Sequence, residues 1–429
     1  MGKVYIVGCG PGNIDMLTVA GAKIIAMADT LIYDHLINPE MLDMAKPGCN
    51  KIYVGKKPYV KRISQEEINK ILVIESLKGN TVVRLKGGDP FLFGRGGEEI
   101  EELIRNNIEY EIVPGVSALI SVPEFAGIPL THRNVNHGVI VTTGNSIENL
   151  SIPYCQKSTC SMYTLVIFMG AYNLKGLIEK LLLSGYSNDT PVAVIENGTY
   201  NHQKTFTGTL EDINYTYNGS PSIIVVGNVV NYHSDFQFIE NRKYSGKIVT
   251  VFYDFYLPST ECLENKGFTV YKIRESQIFR EKIDAKYLSG KNIAFEGKYV
   301  ETVLELFKSS MLDLRKIGEI ATDRIGKELL KSYGIFDVKD ISKIDSSYTK
   351  LADGKGDDVP IARLRKANFN DYIQDYIEKS DLIVLAGTSN SIPEDIKISR
   401  KIPVIRLEYP YDNMDGRIMS FFGGCYEEN

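Results

Sequence analysis

Short runs of β-branched and apolar residues alternate along the chain with longer stretches whose apolar positions recur every three or four residues. Val4–Val7, Thr30–Tyr33, Lys51–Val54, Thr81–Leu85 and Glu111–Val113 read as strands. Between the first two, Met16, Leu17, Ala20, Ile24, Ile25 and Met27 recur at helical spacing, and Ile68, Ile71, Leu72 and Leu77 do so between the third and fourth. Strands separated by helices need crossover connections, so the pattern predicts a largely parallel sheet. Further strands are expected at Val139–Thr142, Thr164–Phe168, Val192–Ile195 and Ile223–Val226, with a helix over Leu174–Ser184. The first 235 residues therefore read as an α/β domain of two lobes, about 1–136 and 137–235.

Around Tyr232–Ser245 the apolar pattern gives way to His233, Ser234, Asp235, Asn241 and Lys243, which predicts a linker, placed at 236–246. A new α/β rhythm begins at Ile248–Phe252 and continues through Thr269–Ile273, Asn292–Phe295, Val359–Ala362, Leu382–Leu385 and Val404–Leu407. Asp340–Asp358 is rich in Asp, Ser, Lys and Gly and reads as a hinge between two lobes of a domain spanning 247–429.

Composition narrows the classes of function. A length of 429 residues fits two or three domains at about 150 residues each. Lys and Arg total 49 against 54 Asp and Glu, a net charge of −5 that argues against a general nucleic-acid binder while leaving room for a local basic pocket. No stretch approaches the ~20 apolar residues of a membrane span, and the start runs into the first strand without a secretory apolar region. The six cysteines, at 9, 49, 155, 160, 262 and 425, form no CxxC pair and no disulfide framework. The expectation is a cytoplasmic, thiol-reduced protein with no metal and with neither membrane nor nucleic acid as partner.

Candidate chemistry concentrates after the early strands. Gly8-Cys9-Gly10-Pro11-Gly12 follows the first strand, but its GxGPG spacing lacks the last glycine of the dinucleotide fingerprint, leaving a tight turn or a ligand loop as readings. More informative is Arg84-Leu85-Lys86-Gly87-Gly88-Asp89-Pro90-Phe91-Leu92-Phe93-Gly94-Arg95-Gly96-Gly97-Glu98-Glu99. Five glycines within Gly87–Gly97 add chain entropy that folding must overcome. They make sense where backbone wraps a ligand, with Asp89 accepting from a polar group and Leu92 packing on it. Val113–Ala118 repeats the strand–turn–helix pattern, and Gly127–Arg133 closes the lobe, with His132 read as structural.

In this order and spacing, Gly8–Gly12, Tyr33-Asp34, Val54-Gly55-Lys56, the Arg84–Glu99 run, Pro114–Ala118 and Gly127–Arg133 resemble the uroporphyrinogen-III C-methyltransferases of the tetrapyrrole methylase superfamily, over residues 2–235. The resemblance implies a two-lobed methylase fold and S-adenosylmethionine as methyl donor. It further implies methylation of uroporphyrinogen III at C2 and C7 to precorrin-2, for sirohaem and cobalamin synthesis, by a homodimer. It assigns the methyl donor to Pro11, Gly87, Gly88, Asp89, Leu92, Ser117 and Ala118, with Met169 from the Phe-Met-Gly segment and Gly198 from Glu-Asn-Gly-Thr. It makes Asp34 a proton acceptor and Lys56 a proton donor, although Asp34 also suits a turn cap and Lys56 a carboxylate clamp. The substrate carries eight carboxylates, which Lys56, Lys57, Arg84, Arg95 and Arg133 are suited to position.

Two departures stand out: Thr142-Thr143-Gly144-Asn145 replaces the usual Thr-Gly-His, and Ser117 replaces a commoner threonine. Residues 246–429 resemble uroporphyrinogen-III synthase, a two-lobed α/β fold, through Leu330-Lys331-Ser332-Tyr333-Gly334 and Gly387-Thr388-Ser389. Phe295-Glu296-Gly297 departs from the usual Phe-Thr-Ser, and Gly318 and Thr322 lie too far upstream for the family's helix motif. Three readings follow: a bifunctional synthase and methylase, a methylase with an inert second half, and a S-adenosylmethionine sensor without turnover, against which Asp34 and Lys56 count. An NAD-dependent partner domain is not expected, since no GxGxxG follows a strand.

Overall fold

The computed structural model describes residues 2–46, 48–55, 63–144 and 162–253, then 259–274, 276–280, 291–296, 299–300, 303–304, 317, 319–332, 335–344, 348–352, 359–360, 362–366, 379–386, 402, 404–407 and 418. The chain divides into two compact units. The first comprises Met1–Val249, Thr260–Tyr271 and Lys379–Asp381; the second takes the remainder.

The first lobe of unit one is a sheet of five parallel strands: β1 (Val4–Gly8), β2 (Thr30–Tyr33), β3 (Asn50–Tyr53), β4 (Val82–Lys86) and β5 (Tyr110–Val113), in the order β3-β2-β4-β1-β5. Its central strands are buried on both faces, which is why they read as continuous apolar runs rather than alternating ones. The helices α1 (Val19–Met27), α2 (Glu40–Asp43), α3 (Gln65–Leu77), α4 (Gly96–Arg105) and α5 (Ala118–Phe125) follow the strands in turn. Thr18 caps α1, and α3 opens with a reciprocal Ser64–Glu67 capping box. The chain leaves β1 toward β2 and leaves the adjacent β4 toward β5. The two connections therefore run in opposite directions along the sheet, each passing the other's strand, and a crevice beyond the carboxyl ends of the strands lies at such a reversal. The pairing of Gly8 with Lys86 brings both strand ends to one level.

The second lobe holds β6 (Gly138–Thr143), β7 (Tyr163–Phe168), β8 (Pro191–Glu196), β9 (Lys204–Thr209) and β10 (Ser222–Val226), in the order β6-β7-β10-β8-β9. Only β6 and β7 run parallel; β10 is antiparallel to β7 and β8, and β8 to β9. This corrects the expectation of a largely parallel sheet. The 197–203 connection between β8 and β9 is too short for a helical crossover, so the chain turns back on itself. Leu165, Ile167, Val192, Val194, Ile224 and Val226 face α6 (Leu174–Leu183), while Val166, Ala193, Ile195 and Val225 pack on Val122 of α5 and on Ala126, which caps it. A first-lobe helix thereby forms part of the second lobe's core.

The stretch expected to be a linker is packed structure. Two short helical segments, Asn228–Tyr232 and His233–Phe236, run against the end of α5. His233 Nδ1 lies 2.7 Å from Ala126 O, Tyr232 stacks between His132 and Phe236, and Ile239 and Tyr244 are buried. The polar residues that suggested a linker cover a seam of aromatic and aliphatic contacts.

In unit two, Val338–Asp340, Ile320–Thr322, Asn292–Ala294, Tyr348–Ala352 and Val359–Pro360 form a parallel sheet in that spatial order. Its core contains Ile293, Phe295, Tyr299, Val300, Leu330 and Leu351, the fifth of these on the helix Arg324–Ser332. The segment expected as a hinge therefore contributes an interior strand, Tyr348–Ala352. The expected Val359–Ala362 strand divides, and Ala362–Lys366 pairs antiparallel with Ser276–Arg280. Leu382–Ala386 and Val404–Leu407 pair in parallel. Tyr333, Gly334, Gly297, Gly318 and Gly387–Ser389 lie outside the described residues.

Candidate functional site

Three loops meet at the carboxyl ends of β1, β4 and β5. Gly88 N donates to Gly10 O at 2.7 Å, Gly10 N to Gly88 O at 3.3 Å, and Cys9 N to Lys86 O at 2.8 Å. A Cβ on Gly115 would stand 2.2 Å from Gly88 O, and one on Gly8 would stand 2.5 Å from Gly115 N. The three backbones touch with no room for a side chain. The Asp89 carboxylate ties the β4 loop to the β5 loop, accepting from Phe91 N at 2.9 Å and from Gly115 N at 3.2 Å. Its partners are thus backbone amides of the site itself. Burial pushes the Cys9 thiol up to about 12, which removes it as a nucleophile.

On the other side, Gly88 faces space. It has a φ of 64°, and the one heavy atom within 4 Å of a Cβ there would be Ala118 N, at 3.8 Å. Ala118 opens α5, whose Ser117 hydroxyl accepts from Leu119 N at 3.1 Å. A glycine backbone thus lies open opposite the first turn of a helix, where amide N–H groups have no intrahelical partners. Pro11, Gly87 and Leu92 are partly buried around it.

The second lobe adds two backbone-strained turns. Met169 follows β7 with a φ of 53°, and Asn197 and Thr199 follow β8 with φ of 49° and 73°. Among the described residues, five of the six non-glycine residues with positive φ belong to these loops: Phe93, Arg95, Met169, Asn197 and Thr199. Such strain persists where surrounding contacts over-determine the backbone, and it clusters at ligand sites. The contacts are present here. A Cβ on Gly198 would stand 2.4 Å from Val122 Cγ1, so this turn sits on α5. Phe93 packs on Phe168, with centroids 5.2 Å apart, and Thr199 Oγ1 accepts from Asn13 N at 3.3 Å.

The charged residues divide sharply. Asp34, at the end of β2, accepts from Leu36 N at 3.1 Å through one oxygen and from Arg84 at 3.1 Å through the other. It therefore caps its turn and remains 27% exposed. Arg84, expected to face substrate, is instead buried. Its guanidinium bonds Asp34, Leu85 O at 2.7 Å and Glu99 at 3.3 Å. Lys86 reaches the same Glu99 oxygen at 2.8 Å. Burial, followed by repulsion from Arg84, lowers the Lys86 pKa against the pull of Glu99. Arg95 and Arg133 are exposed, and Arg95 pairs with Glu98 at 2.9 Å. Lys56, Lys57 and Asn145 lie outside the described residues. Sequence reasoning missed Glu99, Thr199 and Gln203. An acidic pair in the first turn of an amphipathic helix reads as a solvated face, and only the tertiary structure turns Glu99 inward.

Beyond the strained turn, the His202 ring lies tilted against that of Tyr200, with centroids 5.0 Å apart, and bonds Thr269 Oγ1 at 2.9 Å. Burial, then repulsion from Lys379 and Lys204, lowers its pKa to about 3. The unfolded chain, with an ordinary histidine near 6.5, binds the extra proton, so stability from this site is lost as pH falls from about 6.5 toward 3. Between pH 7 and pH 4.5 the native chain should lose about 2 kcal/mol more local stability than His202→Asn, read from hydrogen exchange at the neighbouring amides. Parallel pH profiles for the two would show that His202 titrates normally.

Among the described residues no cluster of His, Cys, Asp and Glu could hold a metal, and no helix is long and apolar enough to cross a membrane. The model of the tetrapyrrole (corrin/porphyrin) methylases matches residues 3–214. A uroporphyrinogen-III C-methyltransferase of Methanocaldococcus jannaschii is 48% identical over 235 residues, covering 54% of this chain and 97% of that protein. One from Bacillus subtilis is 44% identical over 247 residues, covering 56% and 96%. A crystal structure of uroporphyrin-III C-methyl transferase from Thermus thermophilus, complexed with S-adenosyl homocysteine, aligns at 33% identity and a TM-score of 0.46 over 54% of this chain and 99% of that one.

Proposed function

This chain belongs to the tetrapyrrole methylase family, and from that premise we propose that its first unit methylates uroporphyrinogen III at C2 and C7, giving precorrin-2, with S-adenosylmethionine as donor. The observation that carries this reading is the crevice where Gly88 leaves its backbone open opposite the first turn of α5. The residues fit the donor. A Cβ at Gly88 would occupy that opening, and the Ala118 amide in the first turn of α5 suits a polar group of a nucleoside or an amino acid. Pro11, Leu92, Met169 and Gly198 supply apolar and close-packed walls.

When bound, S-adenosylmethionine supplies an electrophilic methyl group to an electron-rich pyrrole carbon. The protein's task is then alignment, which a rigid, backbone-built cradle performs well. Methylation leaves a proton to be removed, and Asp34, partly exposed and oriented by Arg84 and by the Leu36 amide, is the base we assign. Lys56 is assigned as proton donor, and the exposed Arg95 and Arg133 as partners for substrate carboxylates. Support for a homodimer is family likeness alone. For the second unit we propose cyclisation of hydroxymethylbilane to uroporphyrinogen III, supported by its separate α/β core.

Anaerobic incubation of the full chain with hydroxymethylbilane and S-adenosylmethionine, followed by mass and isomer analysis, tests both assignments. The expected product is the dimethylated type III isomer. Methylation only when uroporphyrinogen III is supplied would leave the second unit an inert module. In the same assay Asp34→Asn keeps the turn cap but loses the charge, and methylation should fall roughly 10²–10³-fold with donor binding retained. An unchanged rate would remove Asp34 from the proton transfer.

A further inference from the structure

The residues after the strained Asn197–Thr199 turn divide their contacts between two directions. Thr199 and Tyr200 face the β1 loop. Thr199 accepts from Asn13 N at 3.3 Å, and a Cβ on Gly12 would stand 2.3 Å from the Tyr200 ring. Asn201 and His202 face the other way, toward chain that lies beyond the family match at residue 214. Asn201 Nδ2 donates to Glu264 O at 3.0 Å and Phe268 O at 2.8 Å, and its Oδ1 accepts from Arg242 at 3.0 Å. Its carbonyl accepts from Gly246 N at 2.9 Å and from Ser245 Oγ at 3.1 Å. His202 adds the bond to Thr269 Oγ1 and an edge contact with Tyr271, with centroids 6.4 Å apart.

We infer that residues 242–246 and 260–271 form a clamp that positions the donor-binding turn, with Asn201 as its positioning residue. The turn holds two non-glycine residues at positive φ, a conformation that relaxes unless neighbours fix it. Part of the fixing is internal: Thr199 N donates to Gln203 Oε1 at 3.0 Å. Gln203 is in turn held by Glu240, at 3.1 Å. The rest comes through Asn201. Release of the chain at Asn201 would loosen Thr199 two residues before it and weaken its bond to Asn13. Donor occupancy and the order of residues 260–271 are therefore linked, and linkage is reciprocal. The clamp rests on the reading of the crevice as the S-adenosylmethionine site.

The test is calorimetric titration of the full-length native chain and of Asn201→Ala with S-adenosylhomocysteine, with hydrogen exchange read at residues 264–271. Asn201→Ala removes the side-chain donor that holds the part-buried carbonyls of Glu264 and Phe268, so affinity should fall about tenfold. KM for S-adenosylmethionine should rise in step, with kcat and the uroporphyrinogen KM unchanged; a merely loosened fold would lower kcat as well. The ligand should slow exchange at 264–271 in the native chain and not in the variant. Arg242→Leu, which removes the hydrogen bonds that Arg242 makes to Asn201 and to Glu264 O, should show the same pattern at about threefold and covers the case in which Asn201→Ala fails to fold. Equal affinity and equal protection in native and variant chains would overturn the clamp alone. Absence of binding by the native chain would overturn the crevice reading and the clamp together.

Discussion

Gly115→Ala is expected to lower the kcat/KM of methyl transfer by at least about a hundredfold while leaving the far-ultraviolet circular dichroism of the chain unchanged. The added methyl would stand 2.2 Å from Gly88 O and 2.7 Å from Gly8 Cα. Both are backbone atoms, so no rotamer change relieves the contact and the loops must separate by about an ångström. A displacement of that size at a reacting centre costs roughly a hundredfold in rate. The displaced loop carries the Gly88 edge, so affinity for S-adenosylhomocysteine should fall with the rate. Gly97, in the same glycine-rich run, provides the contrast, because a Cβ there meets nothing within 4 Å. Gly97→Ala should be tolerated, and stabilising by a few tenths of a kcal/mol as a glycine removed from a helix. A Gly115→Ala chain with near-native kinetics would mean that the three-loop contact does not shape the site.

The ladder of the first lobe was legible because parallel strands buried on both faces leave continuous apolar runs between helical periods. Each of the five expected strands lies within a residue or so of its observed bounds. The glycine loops were legible for a different reason. Gly8 and Gly115 leave no room for a side chain and Gly88 takes a positive φ, so the constraint is written directly as residue type. What could not be read was pairing direction and which way a charge points. The second lobe's strands look like those of the first, yet strand order and antiparallel pairing depend on a short return at 197–203 that no periodicity records. Lys204–Thr209 went unrecognised because an edge strand alternating Lys, Thr and Gly carries little apolar signal. Tyr348–Ala352 was hidden by its Asp, Ser and Lys neighbours. Arg84 reads as a substrate cation by sequence, and only its position on a central strand shows that it faces inward.

That inward-facing arginine leads to the largest expected change in stability. Glu99→Ala should destabilise the first lobe by about 3–5 kcal/mol, the cost of leaving a buried charge without its partner. Glu99 is fully buried, and one of its oxygens receives both Arg84 and Lys86. The other oxygen has no hydrogen-bond partner among the described residues. The carboxylate therefore holds two cations with half of its bonding capacity. Without it, Lys86 can shed its proton, since burial and Arg84 already lower its pKa. Arg84 cannot, and must keep its charge with Asp34 as its remaining acidic partner. Removing the second cation should therefore return part of the loss. The double variant Glu99→Gln with Lys86→Met should be more stable than Glu99→Gln alone, with a coupling of about 1–3 kcal/mol. The readout is hydrogen exchange at the β4 amides, because two compact units make a single global unfolding midpoint ill-defined. Arg84 also orients Asp34, so Glu99→Ala should slow methylation even at temperatures where the lobe stays folded. A variant whose β4 amides exchange as in the native chain, or whose double-variant coupling is near zero, would show that the buried pair is replaceable and that Asp34 is oriented by its own turn.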